Sequence, residues 1–458
     1  MGYCRYFAVF PPPRYGILHY SDIYLYMMKK YPILFCIIIL LFLSATIQAL
    51  DFDPYGYGSI VDYLNSIYGP DANAGLTAFP VLKVPMGGRS EAMAGAFSAV
   101  ADDISFLEYN PAGSSMLSRS ELAFFHNNWI ADTKVEGAIF ASRYKDLGFA
   151  AGAKWLYTPF TEYNNYGERV SKGYYSEGVA ALNVSYNFLR SYYFYGLSLG
   201  ATLKGAFRIV PDYTDANDQG NNQGELIPGS GWSQSAIMVM ADIGALTRFD
   251  FLKPYSSREK NTSAALVIRN LGPPSMGEPL PTVITAALAY KPLRPLLFSF
   301  DFSIPINFMD ISLSENPYWA LGFSGEITSF LSMRAGLMGK AGNVRITVGS
   351  AINMAKLSLD VNYTLDLMTQ MQPLNRVSLG IRLNLGDQGR KNLADRVDSL
   401  YLQGLDAYSS YDYETARDCW ERALGLDPRF EPAREALNII NKTLGVQDRI
   451  NNMSRLFI

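Results

Sequence analysis

Few residues in this sequence have the types and spacing that catalysis or metal binding requires. The chain has two histidines, His19 and His126, which leaves little material for general-base or zinc chemistry. Asp102 and Asp103 could form an acid–base pair, but the side chains of adjacent residues diverge. The Gly-Ser-Gly at 229–231 lacks the strand–turn–helix setting of a hydrolase nucleophile. We therefore predict that the protein is not an enzyme, with no catalytic residue, no metal site and no cofactor.

Charged residues that recur inside apolar segments are better candidates for binding a ligand. They are Lys154, Lys204, Arg208, Arg269, Arg345, Asp360 and Arg382. Placing a Lys or Arg side chain against lipid at mid-bilayer costs about 2–4 kcal/mol. The alternate strand positions that carry these charges should therefore face the lumen of a barrel. There they could bind the carboxylate of an amphipathic ligand, or they could pair with one another across the lumen. The residues alone leave both possibilities open.

The segments that carry these charges read as membrane β-strands. Apolar and polar residues alternate most plainly in 182–188, 197–204, 357–365 and 376–385, as strands between lipid and a polar lumen must. In chain order the predicted strands are 121–129, 135–144, 147–158, 175–188, 193–210, 236–249, 262–271, 282–290, 296–308, 318–326, 331–338, 344–352, 356–366 and 375–385. The prediction is an all-β transmembrane barrel of about 14 antiparallel strands.

Composition agrees with a barrel. The chain is 49% hydrophobic and 14% aromatic, yet its mean hydropathy is only +0.02. A helical membrane protein would show several apolar runs of about twenty residues, and one run, at 31–43, approaches that length. The net charge of −3 leaves no basic surface for nucleic acid. A large soluble β protein is the alternative.

Residues 50–118 precede the strands and show no strong periodicity. This segment is rich in Gly, Pro, Tyr and Asp. Ser90 could cap a short helix from Glu91 to Val100, because serine followed by small helix formers favours such a start. On the residues alone the segment could also be a surface linker.

Motifs in this segment resemble the N-terminal signature of FadL-type outer-membrane transporters, including PorV-like relatives and an uncharacterised spirochaetal family of such barrels. The matching stretches are a glycine- and alanine-rich segment with Ala-Asp-Asp at 87–103 and Asn-Pro-Ala-Gly at 110–113. The resemblance implies an N-terminal plug, or hatch, in the lumen on the periplasmic side. Its motif residues would be Gly95, Asp102, Asp103, Asn110, Pro111, Ala112 and Gly113.

The same family has a kinked third strand that opens sideways to the bilayer. In this chain the corresponding position would be at Gly148 and Gly152, because glycines inside strands often mark bulges or bends.

The N-terminus reads as a secretory signal peptide. Lys29 and Lys30 precede the apolar run at 31–43, and a small residue, Ala49, follows it as the predicted cleavage site. Translation could start at Met27 or Met28 instead of Met1. A membrane anchor is the alternative, although the run is short for spanning.

After residue 386 the spacing of the hydrophobic residues changes from a period of two, typical of strands, to a period of about 3.6, typical of helices. Gly404, Ala416, Trp420, Ala423 and Pro428 have the spacing of a tetratricopeptide repeat. One repeat cannot bury its own apolar face, so the unit should dock on the barrel rim or bind a periplasmic protein partner. A helical hairpin that closes the lower mouth is equally compatible with the pattern.

The predicted domains are a leader and signal peptide (1–49), a plug (50–118), the barrel (119–386), the tetratricopeptide-like unit (391–445) and a tail (446–458). The resemblance implies passive uptake of hydrophobic small molecules, such as long-chain fatty acids, across a bacterial outer membrane. Outer-membrane lipid and the hydrophobic ligand would be its partners, and the helical unit would lie in the periplasm. The alternative is a PorV-like interaction platform for exported or periplasmic proteins.

Overall fold

A computed structural model describes residues 71–130, 132–163, 169–212, 229–367 and 374–456, together with residues 59, 62, 63, 66, 69 and 167. The predicted leader, its cleavage after Ala49 and the alternative start sites lie outside the described residues.

Fourteen antiparallel strands form a closed barrel in the part of the chain that the structure describes. They are β1 (Ser120–Asn128), β2 (Lys134–Tyr144), β3 (Leu147–Tyr163), β4 (Arg169–Phe188), β5 (Leu197–Ile209), β6 (Ala236–Phe249), β7 (Thr262–Leu271), β8 (Thr282–Leu293), β9 (Leu296–Ile306), β10 (Tyr318–Glu326), β11 (Leu331–Lys340), β12 (Asn343–Asn353), β13 (Leu357–Leu367) and β14 (Leu374–Gly386). The barrel closes where β1 pairs with β14. The predicted fold class and strand number are confirmed.

Alternation along the strands is inverted relative to a soluble protein. In β5, Ser198 and Thr202 point inward and are buried, whereas Leu199 and Leu203 point outward and are exposed. Aromatic side chains add to the outward apolar face, among them Tyr144 at one end of β2 and Trp155 farther along β3. Such a surface is stable against hydrocarbon, with aromatic residues at the two interfaces.

One predicted strand begins later than expected. Alternation placed the start of the fifth strand at residue 193, but β5 begins at Leu197. Gly196 has a φ of 90°, and the Ser191 N–H donates to the Phe194 carbonyl, so the chain turns through these residues. The apolar side chains of this tight turn have the spacing of a strand, which explains the early start in the prediction.

The barrel has two distinct ends. At the near end, where β1 starts and β14 finishes, several connections are short, at 145–146, 294–295 and 354–356. At the far end several are longer, at 210–235, 272–281 and 307–317. Bacterial outer-membrane barrels have short periplasmic turns and longer external loops.

Three helices follow β14: α3 (Arg390–Ser409), α4 (Tyr413–Leu426) and α5 (Glu431–Leu456). They pack around Trp420, whose indole Nε1 would lie 2.2 Å from a Cβ on Gly404, so this glycine lets α3 and α4 approach. Among the described residues, no helix is both long and apolar enough to cross a membrane. The tetratricopeptide identity of the unit remains a prediction.

The helical unit is attached to the near-end rim of the barrel. Arg429 forms an ion pair of 2.6 Å with Asp146 in the β2–β3 turn. The Phe430 ring packs edge-on against Tyr192 in the β4–β5 loop, with 5.3 Å between centroids. The Arg390 guanidinium donates to the Arg143 carbonyl at 2.8 Å. Docking on the rim is one of the arrangements that the sequence left open.

Candidate functional site

Residues 78–117, called the hatch below, run through the lumen from the far end to the near end. Just before the hatch, the Asn73 amide donates to the Ser314 carbonyl in a far-end loop. At its other end, the Ser115 N–H donates to the Ser185 hydroxyl near the start of the β4–β5 loop. The resemblance implied a plug on the periplasmic side, but the hatch spans the length of the lumen.

The hatch contains two short helices, α1 (Gly88–Ala92) and α2 (Phe106–Tyr109), and two 3₁₀ turns, Pro80–Leu82 and Pro111–Met116. The helix predicted from Glu91 to Val100 is wrong in extent. Ser90 lies inside α1 rather than capping it, and α1 ends because Ala94 and Gly95 have positive φ values of 53° and 84°.

Polar side chains of the barrel strands, called the wall below, form hydrogen bonds with the N–H and carbonyl groups of the irregular hatch backbone. Carboxylates accept from the N–H groups of Val81, Ser98 and Ile104 at 2.9, 2.9 and 3.1 Å. Two wall hydroxyls donate to hatch carbonyls, from Thr347 to Ala92 and from Ser263 to Ala99. Because a buried backbone group without a partner is costly, these inward polar residues determine the path of the hatch.

Inward glycines let the hatch backbone lie directly against the wall. A Cβ on Gly148 would lie 2.1 Å from the Ser114 carbonyl carbon, and one on Gly200 would lie 2.3 Å from the Pro111 oxygen. Glycine at Gly152 makes room for Leu107. Strand β3 stays paired with β2 and β4 through both Gly148 and Gly152 without a register shift, so neither a bulge nor a lateral opening is present there.

The Asp102–Asp103 motif joins the hatch to a buried ion-pair network in the wall. Arg382 on β14 pairs with Asp103 at 3.1 Å and, through Nε, with Asp360 on β13 at 2.9 Å. Asp360 also pairs with Arg334 on β11. Within the hatch, Asp102 pairs with Arg89 at 2.6 Å. These contacts form an ionic latch between hatch and wall.

The Asn-Pro-Ala-Gly motif starts the 3₁₀ turn at Pro111–Met116. The Asn110 side chain accepts from the Ala112 N–H at 2.9 Å and donates to the Ser98 carbonyl at 2.8 Å. Pro111 takes the first helical position, where no N–H is needed. Gly113 packs under Phe106, leaving no space for a side chain. The motif therefore shapes the hatch and ties its two halves together.

Five of the other candidate charges also lie on the inward side, and each has a polar partner. Lys154 pairs with Glu108, Lys204 with Asp242, Arg208 with Glu177 and Arg345 with Asp366, while Arg269 donates to the Glu108 carbonyl. Most of the carboxylates that pair with these cations were not among the candidate residues. A carboxylate that faces lipid is also costly, so Asp and Glu within the strands should face the lumen. By this argument Glu177, Asp242 and Asp366 could have been predicted.

A cavity of about 390 Å³ lies in the far half of the lumen, beside the first part of the hatch. Its size suits a small-molecule site. Much of its wall is apolar, including Leu82, Val84, Trp129, Leu280, Val283, Ile306, Met338 and Val344. Charged side chains also line it, namely Lys83, Glu91, Arg269, Asp301, Glu315, Lys340, Arg345, Asp366 and Arg376. The combination suits an apolar or amphipathic ligand.

A second cavity, of about 80 Å³, lies between the hatch and strands β3 to β5. It shares Val84, Tyr109 and Arg269 with the larger cavity, so these side chains separate the two spaces. Among the described residues, no group of three or more His, Cys, Asp or Glu side chains could hold a metal ion.

The solved structures that resemble the barrel include the two that follow. The CymD monoaromatic hydrocarbon channel has a TM-score of 0.46 at 12% identity, covering 68% of this chain and 99% of its own. The P. putida toluene transporter TodX has a TM-score of 0.42 at 12% identity, covering 66% and 100%.

Sequence relatives come from Treponema pallidum (strain Nichols). One UPF0164 protein is 29% identical over 382 residues, 80% of this chain and 84% of the relative. Another is 26% identical over 402 residues, 81% and 77% of the two chains. Residues 69–388 match the family described as Uncharacterised protein family (UPF0164), and the chain belongs to that family.

Proposed function

We propose that the protein is a passive outer-membrane transporter for hydrophobic small molecules. The observation that carries this proposal is the largely apolar cavity of about 390 Å³ inside the barrel, bounded by the hatch. Hydrogen bonds and ion pairs hold the hatch in the lumen, so it could shift while the strand pairing of the barrel stays intact. A ligand would enter from the far end, rest in the cavity and leave as the hatch moves.

The outward face supports placement in an outer membrane. Its exposed Leu and aromatic side chains would contact hydrocarbon, and closure of the sheet leaves no free edge. The short turns at the near end favour a periplasmic position for that end and for the helical unit attached to it.

A route toward the bilayer is also supported. The small inner cavity and an apolar groove on the outer surface both include Gly152 and Ala181, so only small residues separate them. The continuous pairing of β3 means that such a route would require a local opening of the wall. This route is a proposal that follows from the resemblance to FadL-type transporters.

Fatty acids are the first ligand class to test, and dodecanoate is a soluble probe with a shorter chain than the long-chain members. Binding of dodecanoate to the refolded protein in lipid nanodiscs should be measurable by titration calorimetry. A double substitution that fills the cavity, Val283→Trp with Ala320→Trp, should weaken binding at least tenfold, because both positions face inward and line the apolar space. A truncated chain that lacks 391–458 should bind like the full chain.

Two outcomes would count against transport. Undiminished binding after the cavity is filled would mean that the ligand sits elsewhere. Failure of the full chain to bind any amphiphile or hydrocarbon would favour the second candidate, an interaction platform whose rim-docked helical unit binds a periplasmic protein. The ion pair of Arg429 with Asp146 and the Tyr192–Phe430 contact support that candidate, because they hold the unit in place on the barrel.

A further inference from the structure

Tyr109, the last residue of α2, lies between the two cavities of the lumen. Its side chain is partly exposed inside the barrel and lines both the large cavity and the small one. Val84 and Arg269 also line both spaces, but Tyr109 has the only aromatic ring among the described residues that the two cavities share. The ring is therefore the bulkiest apolar group between them.

Hydrogen bonds fix the hatch backbone on both sides of this ring. The Asn110 N–H donates to the Phe106 carbonyl at 2.8 Å, and the Asn110 amide donates to the Ser98 carbonyl at 2.8 Å. Arg269 on β7 donates to the Glu108 carbonyl at 3.1 Å. Because the backbone is held by both hatch and wall, an opening between the two cavities depends on the side chain.

The contacts of the ring itself are individually weak. Phe97 packs edge-on against it, with 6.1 Å between centroids, and the guanidinium carbon of Arg269 lies 5.4 Å from the Tyr109 centroid. Gly95, a residue of the hatch motif, provides space beside the ring, because a Cβ there would lie 3.3 Å from Cε1 of Tyr109. A side chain held in this way can change rotamer while its backbone stays in place.

We propose that the Tyr109 side chain is a gate that controls whether a molecule in the large cavity reaches the small cavity. In the observed rotamer the ring separates the two spaces, and a change of rotamer joins them without moving the hatch backbone. This inference rests on the proposed transport function and identifies the residue that controls the step between the cavities. Gly152 and Ala181 line both the small cavity and the outer groove, so the gate would precede an exit toward the bilayer.

The test measures how fast methyl methanethiosulfonate reaches a reporter in the small cavity. The reporter is Val179→Cys, at a buried position that lines the small cavity and not the large one. It is placed in the full chain in nanodiscs, with Cys419 replaced by serine, and labelling is followed by mass spectrometry. Tyr109→Ala should speed labelling at least tenfold, because it removes the ring. Tyr109→Phe keeps the ring and should be labelled at the wild-type rate.

Tyr318→Ala is the matched control. It is the same substitution at a tyrosine that lines the large cavity and not the small one, so it should leave the labelling of Val179→Cys unchanged. A second reporter, Ser105→Cys in the hatch, separates a change of rotamer from movement of the hatch. Tyr109→Ala should not speed the labelling of this second reporter.

Two results would overturn the inference and leave transport standing. One is equal labelling of Val179→Cys in the wild type and in Tyr109→Ala. The other is faster labelling of Val179→Cys and Ser105→Cys together, which would mean that the substitution loosens the whole hatch. Heat-modified mobility in gels checks that each variant has a folded barrel. Absence of dodecanoate binding to the wild type would instead count against the proposed function itself.

Discussion

Replacing Arg382 with methionine is expected to free the hatch from the wall and to lower the free energy of unfolding by about 3–5 kcal/mol. Asp103 would lose its ion-pair partner in the wall and keep Arg89, at 3.8 Å, and the Ser105 N–H, at 2.9 Å. Asp360 would keep Arg334. The large cost arises because the substitution leaves a buried carboxylate without adequate compensation. The measurement is the unfolding free energy in urea, together with thiol labelling of a Ser105→Cys reporter in the hatch.

Arg334→Met is the matched control for this prediction. It removes a buried guanidinium from the same network, but its partner Asp360 lies in the wall rather than in the hatch. We expect it to reduce stability without increasing labelling of the reporter, in a background where the buried Cys419 is replaced by serine. Equal labelling rates in Arg382→Met and Arg334→Met would mean that the ionic latch does not hold the hatch.

Gly200→Val is expected to push the Pro111–Met116 turn away from the wall and to open the near end of the lumen. A Cβ at this position would lie 2.3 Å from the Pro111 oxygen, so the hatch backbone must move. Overpacking of this kind costs about 1–3 kcal/mol or more. The expected result is a higher single-channel conductance in planar bilayers and faster labelling of an Ala112→Cys reporter.

Gly205→Val provides the control on the same strand. Nothing lies within 4 Å of a Cβ placed there, and the position faces outward. This variant should have the conductance of the wild type. If Gly200→Val kept the hatch in place and the conductance low, the close contact between hatch and wall would not be required for closure.

The barrel could be predicted from the sequence because lipid imposes a strict rule on each strand. In β14, outward Val377, Leu379 and Ile381 alternate with inward Ser378 and Gly380, so neighbouring residues alone reveal the element. The alternation of apolar and polar residues gave a wrong strand start before β5, where apolar residues form a turn. It also failed in the hatch, where positive φ values at Ala94 and Gly95 end the helix early.

The site was harder to predict because it depends on contacts between distant parts of the chain. Arg376 lies in the alternating segment 376–385, but its contacts with Trp129 and Asp366 join parts of the chain that no local pattern relates. The strand pattern at Gly148 predicts a bulge or bend, whereas the structure shows that a glycine there leaves room for Ser114 of the hatch. Such contacts depend on the path of the hatch, which no local pattern specifies.

The central claim is that ligands pass through the lumen when the hatch moves. The most direct test is a disulfide between Ser114→Cys in the hatch and Ser185→Cys in the wall, whose hydroxyl oxygens are 2.6 Å apart. A wall-to-wall disulfide, Thr285→Cys with Ser303→Cys, is the control, because it joins neighbouring strands and leaves the hatch free.

The measurement is uptake of labelled dodecanoate into proteoliposomes before and after reduction. We predict that the oxidised hatch-to-wall variant takes up at least tenfold less ligand than the control and that a reducing agent restores uptake. Uptake at the control rate with the hatch-to-wall disulfide intact would contradict the account.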